Sequence, residues 1–320
     1  MDRPRALKQI QDTVSQMAVD QLPEAQSWCV ALSGGRDSLA LTAAAAAVLP
    51  TTALIVDHRL QPGSSAVAAE ARDLALELGC IAARVITVAV GSDGGPEGAA
   101  RSARYAALEK ARDGAAVLLG HTLDDQAETV LLGLGRGSGP RSVAGMRGAD
   151  PPWFRPLLAH RRTMTGQVCA ELGLPVWDDP HNRDLRFTRA RLRHEVLPVL
   201  EDVLGGGVAQ ALARTAAALR EDIDLLDAMA REQLGAAVSA EGLRYELVRA
   251  LPAALRRRAV REWLIGAGAI GLTEVSIRAV DALISDWRGQ GGVAVGSPKP
   301  GTRMFAERRG TMLRLRFEPV

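Results

Sequence analysis

The sequence has few of the residues that mark disulfide-linked, metal-binding or membrane-spanning proteins. Its three cysteines, Cys29, Cys80 and Cys169, are far apart and form no C-x-x-C pair. They therefore predict no zinc ribbon, iron–sulfur site or disulfide framework. No apolar run reaches the roughly 18–20 residues that a membrane-spanning helix needs, and the first twenty residues lack the apolar core of a signal peptide. These absences predict a cytoplasmic protein with no membrane partner.

Lysine is also scarce, so nearly all of the positive charge comes from arginine. The chain has only Lys8, Lys110 and Lys299, and its formal net charge is +2. A charge this small does not indicate a nucleic-acid-binding protein by itself, so the position of each arginine matters more than the total. A biased coding composition would also enrich arginine, and a single arginine cluster is therefore weak evidence.

The first two hundred residues alternate between short apolar runs and longer amphipathic stretches. The strands are predicted at 28–32, 52–56, 83–90 and 115–119, and the helices between them at 38–48, 65–78 and 98–111. This alternation indicates βαβ units and an α/β, Rossmann-type fold with a doubly wound, mainly parallel sheet. In such sheets ligands bind at the carboxyl ends of the strands, where the strand order reverses.

The composition changes around residues 205–207, where three glycines occur in a row. Helices are predicted at 209–234, 246–266 and 276–287, a loop at 289–300, and a β-hairpin at 301–317 with its turn at 309–310. At 320 residues the chain is long enough for two domains. We expect a catalytic domain over residues 1–204 and a mainly helical, substrate-binding domain with a small β tail over 205–320. The role of the tail after Gly289 stays open.

A short glycine turn follows the first predicted strand and begins the next helix. Its residues are Ser33, Gly34, Gly35, Arg36, Asp37 and Ser38. Converging backbone N–H groups and a helix N-terminus make such a turn favourable for phosphate. It matches neither a Walker A loop nor the dinucleotide-binding G-x-G-x-x-G. The serines would donate hydroxyl hydrogen bonds and Asp37 would hold Mg²⁺, whereas the plainer alternative is a turn capped by Asp and Ser.

Two further motifs lie near the same predicted sheet edge. Asp57 and His58 end the second strand, where the adenosine half of a nucleotide would lie, although a capped strand-end turn explains their side chains equally well. Arg101 and Arg104 share one helix face. Arg101 would neutralise the charge that develops as pyrophosphate leaves, and the alternative is a solvated helix face beside a packed Tyr105.

A polar segment follows the fourth predicted strand and contains one histidine and three carboxylates. If Thr122 caps the helix, Asp125 falls at the third helical position as part of a capping box. That explains one carboxylate. Asp125 and Glu128 would share a face able to bind a cationic amine, and His121 could contact a phosphate or transfer a proton. Clustered carboxylates with one histidine suit Mg²⁺ better than zinc.

Arginine is concentrated between residues 183 and 193, where five occur in eleven positions. Such a stripe suits contacts with a phosphate backbone, with Arg189, Arg191 and Arg193 as candidates, although a solvated helix face is the alternative. Arg136 lies in a glycine-rich segment at 134–139, predicted to be a flexible loop. The run of three arginines at 256–258 is read as a solvated helix face.

The glycine turn resembles the pyrophosphate loop of the N-type ATP pyrophosphatases. The order of motifs is Ser-Gly-Gly-x-Asp-Ser, Asp-His, Ala-Arg-x-x-Arg-Tyr, Gly-His-x-x-Asp-Asp-Gln-Ala-Glu-Thr, Arg-Gly-Ser-Gly, Arg-Pro-Leu-Leu and Asp-Pro-x-Asn…Arg-x-Arg-x-Arg. Together they look like the N-terminal domain of the tRNA(Ile)-lysidine synthetase family over residues 25–200, which implies an adenine-nucleotide alpha-hydrolase-like fold. Two departures are Ala190, where that family's Asn is expected, and the lack of a large separate C-terminal module.

The resemblance implies a two-step, ATP-dependent ligation. The wobble cytidine of isoleucine tRNA with a CAU anticodon would be adenylated at its C2 oxygen with release of pyrophosphate. Free L-lysine would then attack C2 through its ε-amine and expel AMP. ATP–Mg²⁺ would sit on the glycine turn near His58, with Asp37, Arg101, His121 and Asp125 as catalytic residues. Asp125 and Glu128 would bind lysine, and Arg136, Arg189, Arg191 and Arg193 would bind tRNA.

Other functions stay open at the level of the sequence. A sulfur-transferring tRNA enzyme of the same superfamily is disfavoured because the cysteines form no pair. A non-catalytic nucleotide sensor or RNA-binding module would be expected to lose an acid or a loop serine, and this chain has both. A small-molecule amidotransferase would need a glutaminase-like nucleophile, and the sequence shows no such arrangement. The oligomeric state is open, and a homodimer is compatible with the sequence.

Overall fold

The computed structural model describes residues 5–59, 63–89, 91, 95–137 and 139–320. It contains two compact units. The first comprises Met1–Leu131 and Gly145–Ala213, and the second comprises Leu132–Ala144 and Arg214–Val320. The division expected from the sequence came after residue 204 and did not assign 132–144 to the second part of the chain.

The helices and strands follow the alternation that the sequence predicts. The strands are β1 (Trp28–Leu32), β2 (Thr51–Asp57), β3 (Ala82–Thr87), β4 (Ala116–Leu119), β5 (Ala149–Asp150), β6 (Trp153–Phe154), β7 (Val238–Ser239), β8 (Gly242–Arg244), β9 (Val293–Val295), β10 (Thr302–Arg309) and β11 (Met312–Pro319). The α-helices are α1 (Arg5–Gln21), α2 (Arg36–Ala46), α3 (Ser64–Glu77), α4 (Gly95–Ala111), α5 (Leu123–Arg136), α6 (Pro140–Val143), α7 (Arg162–Glu171), α8 (Thr188–Arg191), α9 (Leu197–Val203), α10 (Val208–Ala237), α11 (Tyr245–Arg249), α12 (Ala253–Gly266) and α13 (Glu274–Ser285).

The first unit is built on a mainly parallel sheet, which confirms the predicted fold class. Its strand order is β3-β2-β1-β4-β6-β5, and only β5 runs antiparallel to its neighbour. Every residue of β1 is buried, as expected for a strand covered on both faces. The chain moves from β1 outward to β2 and β3, then returns to β4 on the other side of β1. The strand order therefore reverses between β1 and β4, and ligands are expected at their carboxyl ends.

The second unit combines helices with an antiparallel sheet of order β7-β8-β11-β10-β9. The predicted hairpin turn is confirmed, because β10 ends at Arg309 and Gly310 follows with φ of +56°. The helix predicted over 246–266 is instead two helices, because Pro252 cannot donate a helical hydrogen bond. The loop predicted at 289–300 contains the strand β9.

Two boundaries differ from the sequence prediction. The third strand ends at Thr87 rather than at Val90, which lies outside the described residues. Half of the loop predicted at 134–139 is the last turn of α5, and Ser138 lies outside the described residues.

Within the described part of the chain no single helix is long and apolar enough to cross a membrane. One bent pair of helices, Thr188–Val203 with Val208–Ala237, meets the length and composition of a membrane span.

Candidate active site

The glycine turn connects β1 to α2 and is held by its own serines. The Ser38 hydroxyl donates to the Gly35 carbonyl oxygen at 2.9 Å and accepts a hydrogen bond from the Ser33 backbone N–H at 3.1 Å. Gly34 has φ of +80°, a conformation that favours glycine. Gly120, just after β4, packs against this turn so closely that an added Cβ would lie 3.1 Å from the Asp37 backbone. The turn and the end of β4 therefore form one surface.

Two cavities meet at this surface, within the first unit. One, of about 260 Å³, has apolar walls from Leu32, Leu54 and Val67 and includes His58. The other, of about 400 Å³, is polar. Among the residues that the sequence predicted, Ser33, Gly35, Arg36, Asp37, Ser38, His121, Asp125 and Arg193 line the polar cavity. Ser33, Arg104 and Trp177 line both cavities. An apolar pocket continuous with a polar one matches the two ends of a nucleotide.

Asp57 and His58 play different parts at the end of β2. The Asp57 carboxylate is buried and accepts hydrogen bonds from the Arg59 backbone N–H at 2.9 Å and the Ser65 hydroxyl at 2.8 Å. Burial alone would raise the pKa of Asp57, but these hydrogen bonds hold it below its usual value. Asp57 thus links the end of β2 to the first turn of α3. His58 lines the apolar cavity, and burial together with the nearby Arg104 lowers its pKa.

Asp37, Asp125 and Glu128 converge on two arginines. Arg162 Nε lies 3.2 Å from Asp37 Oδ2, and Arg162 Nη2 lies 2.7 Å from Asp125 Oδ1. Arg193 Nε lies 2.8 Å from Glu128 Oε1, and its Nη2 lies 3.3 Å from Asp125 Oδ1. The Glu128 side chain is fully buried. Because buried carboxylates are stable only when they are paired, the two guanidiniums keep this acidic site charged.

The three carboxylates differ in their affinity for protons. Burial raises the pKa of Asp37, although Arg162 and a hydrogen bond from the Thr165 hydroxyl act against this rise. Burial also raises the pKa of Glu128. For Asp125, burial is outweighed by Arg162 and by hydrogen bonds from the Thr122 N–H and hydroxyl, both at 2.8 Å, so its pKa is lowered. Glu128 is therefore a better proton acceptor than Asp125.

His121 is a neutral imidazole in this site. Burial is the main reason that its pKa falls to about 3, and the positive charges of nearby arginines add to the effect. Its Nδ1 atom is buried and has no hydrogen-bond partner among the described residues. A neutral imidazole with so low a pKa is a weak base, so His121 suits a hydrogen bond to a phosphate or nucleobase better than proton removal.

The predicted pair on α4 separates into one exposed and one internal arginine. Arg101 is exposed, with Nη2 3.3 Å from the Tyr105 hydroxyl and its guanidinium 4.9 Å from the centre of that ring. Arg101 does not line either of the two cavities, whereas Arg104 lines both. Residues three apart on a helix differ by about 60° in direction, which is enough to separate the two side chains.

The predicted arginine stripe does not form a single surface. Arg193 and Arg189 both turn toward Glu128, the second with Nη1 3.9 Å from a carboxylate oxygen. Arg191 instead pairs with Glu195 and is exposed. Positions four apart share a helix face, while the residue between them lies on the opposite face. Arg136 is exposed at the end of α5. Of the four, Arg193 belongs to the cavity wall.

The site also contains three residues that no sequence motif predicted, namely Arg162, Thr165 and Trp177. Arg162 begins α7, and its backbone N–H donates to Asp124 at 2.7 Å. The Trp177 N–H donates to the Gly34 carbonyl oxygen at 3.1 Å and so fixes the glycine turn from outside. One signal was available for Arg162, because three carboxylates predicted at one sheet edge require buried cations nearby.

The donor set fits a metal that arrives with phosphates rather than a resident metal. No group of three or more His, Cys, Asp or Glu side chains arranged for a metal occurs in the part of the chain that the structure describes. Asp37 provides one carboxylate beside the glycine turn. Mg²⁺ in nucleotide sites takes one or two protein carboxylates and completes its shell with phosphates and water. Asp37 therefore fits Mg²⁺ bound to ATP.

Known proteins resemble this chain over its whole length. Residues 6–200 match the model of the PP-loop domain, and residues 243–311 match that of the TilS substrate binding domain. The tRNA(Ile)-lysidine synthases of Mycolicibacterium paratuberculosis and Mycobacterium tuberculosis are each 62% identical to this chain, with full coverage of both sequences. That of Mycobacterium leprae is 57% identical, also with full coverage.

A solved structure of lower identity shares the fold. The U34-tRNA thiolase NcsA from Methanococcus maripaludis, with its [4Fe-4S] cluster, aligns with a TM-score of 0.53 and 17% identity. The alignment covers 68% of this chain and 80% of that one. In this chain Cys29, Cys80 and Cys169 are buried free thiols.

Proposed function

This chain belongs to the tRNA(Ile)-lysidine synthase family, and from that premise we propose how its residues divide the reaction among them. It is an ATP-dependent ligase of the PP-loop type that forms lysidine on isoleucine tRNA. One observation supports these residue roles: the glycine turn and the acid pair Asp125 and Glu128 lie at the same edge of the sheet. The glycine turn and Asp125 line the polar cavity at the reversal of strand order, and the buried Glu128 lies one helical turn beyond Asp125, so nucleotide and amine can meet there.

ATP occupies the two cavities in this proposal. The adenine lies in the apolar cavity beside His58, and the phosphates lie on the glycine turn at the N-terminus of α2. Backbone N–H groups and the positive end of the helix dipole favour the phosphates there. Asp37 would hold Mg²⁺, which would supply charge neutralisation at the phosphate oxygens.

Adenylation is the first chemical step. The C2 oxygen of the wobble cytidine forms a bond to the α-phosphorus, and the bond to the β-phosphate oxygen breaks to release pyrophosphate. Negative charge grows on the leaving group, so cations aimed at it lower the barrier. Arg104 already faces both cavities, and Arg101 acts on the departing pyrophosphate from the same helix. His121 donates or accepts one hydrogen bond as a neutral ring.

Lysine addition is the second step and uses the acidic site. Asp125 and Glu128 are held by Arg162 and Arg193 in the free protein, and the ammonium group of L-lysine takes over part of that pairing. The neutral ε-amine attacks C2, and the C2–oxygen bond breaks with release of AMP. The amine must first lose a proton. Glu128 is the proposed acceptor, because its pKa is raised while that of His121 is about 3.

The test is ATP-dependent incorporation of radiolabelled L-lysine into purified isoleucine tRNA with a CAU anticodon. We expect incorporation together with release of one pyrophosphate and one AMP per lysine. The same tRNA with a guanosine in place of the wobble cytidine serves as the control. Pyrophosphate release without lysine incorporation would contradict lysine as the nucleophile.

The cytoplasmic location and a homodimer are also proposals. Light scattering with and without tRNA measures the oligomeric state.

A further inference from the structure

The arginine run at 256–258 is not a uniform solvated face. Arg256 turns inward, with Nε 2.6 Å and Nη2 3.2 Å from the two oxygens of the buried Asp281. Arg257 and Arg258 line a different surface, a cavity of about 640 Å³ that belongs wholly to the second unit. Adjacent helical residues differ by about 100° in direction, so a run of three need not serve one purpose.

This cavity has an unusually cationic wall. Its arginines are Arg141, Arg257, Arg258, Arg261 and Arg278, and among the described lining residues the one acidic side chain is Glu274. They come from three helices, namely α12 and α13, which follow one another in the sequence, and the distant α6. Because guanidiniums from separate segments converge here, the wall is a product of the tertiary fold and not of local composition. An anion is the complementary ligand.

The nearby carboxylates do not neutralise these arginines. Asp227 is shared between Arg141 Nη2 at 2.5 Å and Arg258 Nε at 3.1 Å. In the same way Glu274 is shared between Arg257 Nη1 at 3.9 Å and Arg278 Nε at 2.8 Å.

Arg261 pairs with Glu262 at 3.2 Å. In the ion pairs of the described residues these five guanidiniums thus share three carboxylates, which leaves a surplus of two positive charges. Burial, followed by repulsion from Arg141, lowers the pKa of Arg261, as expected where cations are crowded.

The N-terminus of α13 adds to the positive potential. Thr273, Glu274 and Val275 line the cavity, and Thr273 caps the helix through a hydrogen bond from the Ser276 N–H. A helix of 12 residues carries partial positive charge at this end. The helix end and the surplus arginines therefore favour the same kind of ligand.

We propose that this cavity binds backbone phosphates of the tRNA substrate, two of them at a time. The proposal rests on the function proposed above, because it takes its ligand from that reaction. RNA phosphates fit better than a free anion because the arginines line an open space of about 640 Å³ rather than converging on one point. The surplus of two charges matches two singly charged phosphodiesters. Four of the five arginines also fall within residues 243–311, the region that matches a substrate-binding domain.

The experiment measures the affinity of the full-length protein for unmodified isoleucine tRNA as salt concentration is varied. The double variant Arg257→Gln/Arg278→Gln should bind tRNA about tenfold more weakly at 150 mM salt. The slope of log K against log salt should fall by about 1–2, since each lost phosphate contact removes about 0.7–0.9. Arg257→Lys/Arg278→Lys should keep most of the slope. Arg288→Gln, at an exposed pair with Asp286 in the same unit, should match the wild type.

Unchanged affinity and slope in the folded double Gln variant would overturn the proposal. A second result would also overturn the proposal: the wild type binds inorganic phosphate saturably, and the double variant loses this binding but keeps normal affinity for tRNA. The site would then bind a small anion. Thermal unfolding of each variant separates lost contacts from lost folding. The lysine incorporation assay on the wild type distinguishes the two proposals. If the wild type incorporates no lysine but the double variant still binds tRNA more weakly than the wild type, the proposed lysidine mechanism is wrong and the proposed phosphate site is supported.

Discussion

Arg162 donates to Asp37 through Nε at 3.2 Å, and this contact joins the phosphate side of the site to its amine side. The same guanidinium reaches Asp125 through Nη2 at 2.7 Å. One cation therefore stabilises the carboxylate proposed for Mg²⁺ and a carboxylate proposed for lysine. Both proposed ligands are cations, so each must replace part of what Arg162 already supplies. The carboxylates of the site therefore already have arginine partners before any substrate arrives.

Removing the charge of Arg162 should destabilise the protein. Arg162→Met leaves Asp37 and Asp125 without their shared partner, and loss of one side of a buried pair costs about 3–5 kcal/mol. Arg162→Lys should cost less, because it keeps the charge but cannot form the two-pronged contact. Denaturant unfolding at pH 7.5 measures both variants. Equal stability of Arg162→Met and the wild type would contradict this account of the cluster.

Asp37→Asn should slow tRNA-stimulated pyrophosphate release. The amide keeps the size of the side chain but removes the charge that would hold Mg²⁺, and we expect a loss of about 10²–10³ in kcat, in line with other electrostatic contributions. Asp113→Asn is the matched control, since Asp113 forms an exposed pair with Arg84 far along the chain from the glycine turn. Titrating Mg²⁺ at fixed ATP distinguishes a metal role from a folding defect. A normal rate in Asp37→Asn would remove the assigned role.

Glu128→Gln should separate the two chemical steps. The variant loses the carboxylate proposed to orient lysine and accept its proton, so lysine incorporation should fall about 100-fold or more. Pyrophosphate release on addition of tRNA alone should change by only a few fold. Glu109→Gln, at a surface pair with Arg112, provides the control. If both activities of Glu128→Gln fell together, Glu128 would serve the folded site rather than the lysine step, and unfolding measurements would reveal it.

Arg104 and Arg101 should give different kinetic defects. Arg104 lines both cavities, so Arg104→Gln should mainly raise KM for ATP. Arg101 is exposed in the free protein and is proposed to act as charge develops, so Arg101→Gln should mainly lower kcat for pyrophosphate release. Steady-state kinetics at saturating tRNA measure both constants. A lowered kcat in Arg104→Gln with normal Arg101→Gln would reverse the two roles.

His121 should make the protein less stable in acid. Its pKa is about 3 in the folded state, against about 6.5 for an unfolded histidine, because burial opposes the charged form. Between these values the unfolded chain binds the extra proton, so the His121 contribution to stability is complete above pH 6.5 and declines as the pH falls toward 3. The decline is at most about 1.4 kcal/mol for each pH unit.

His121→Asn removes this contribution, and its unfolding free energy should therefore fall less steeply between pH 6.5 and 4.5 than that of the wild type. Parallel slopes for wild type and His121→Asn would show that His121 is solvated in the folded protein.

The sequence by itself determined the alternation of strands and helices over residues 28–119, and it predicted the location of the candidate site. A buried strand, a glycine turn and an alanine-rich helix are local patterns, and β1 and α2 follow from the periodicity of their own residues. The carboxyl ends of parallel strands meet at one edge, so the glycine turn and the segment from His121 to Glu128 could be brought together without coordinates. Motif order then identified the family.

Only the tertiary structure decided which cations complete the site. Arg162 lies 125 positions from Asp37 along the chain, and no local pattern links a helix start at one point to a turn at another. Helix winding likewise sends Arg193 inward and Arg191 to the surface, although the sequence presents them as one stripe. Burial sets the pKa of His121, and burial depends on every element packed around it. Residues that are close in the sequence determine which chemical groups a motif contains. Ion pairing and desolvation depend on contacts between residues that are distant in the sequence.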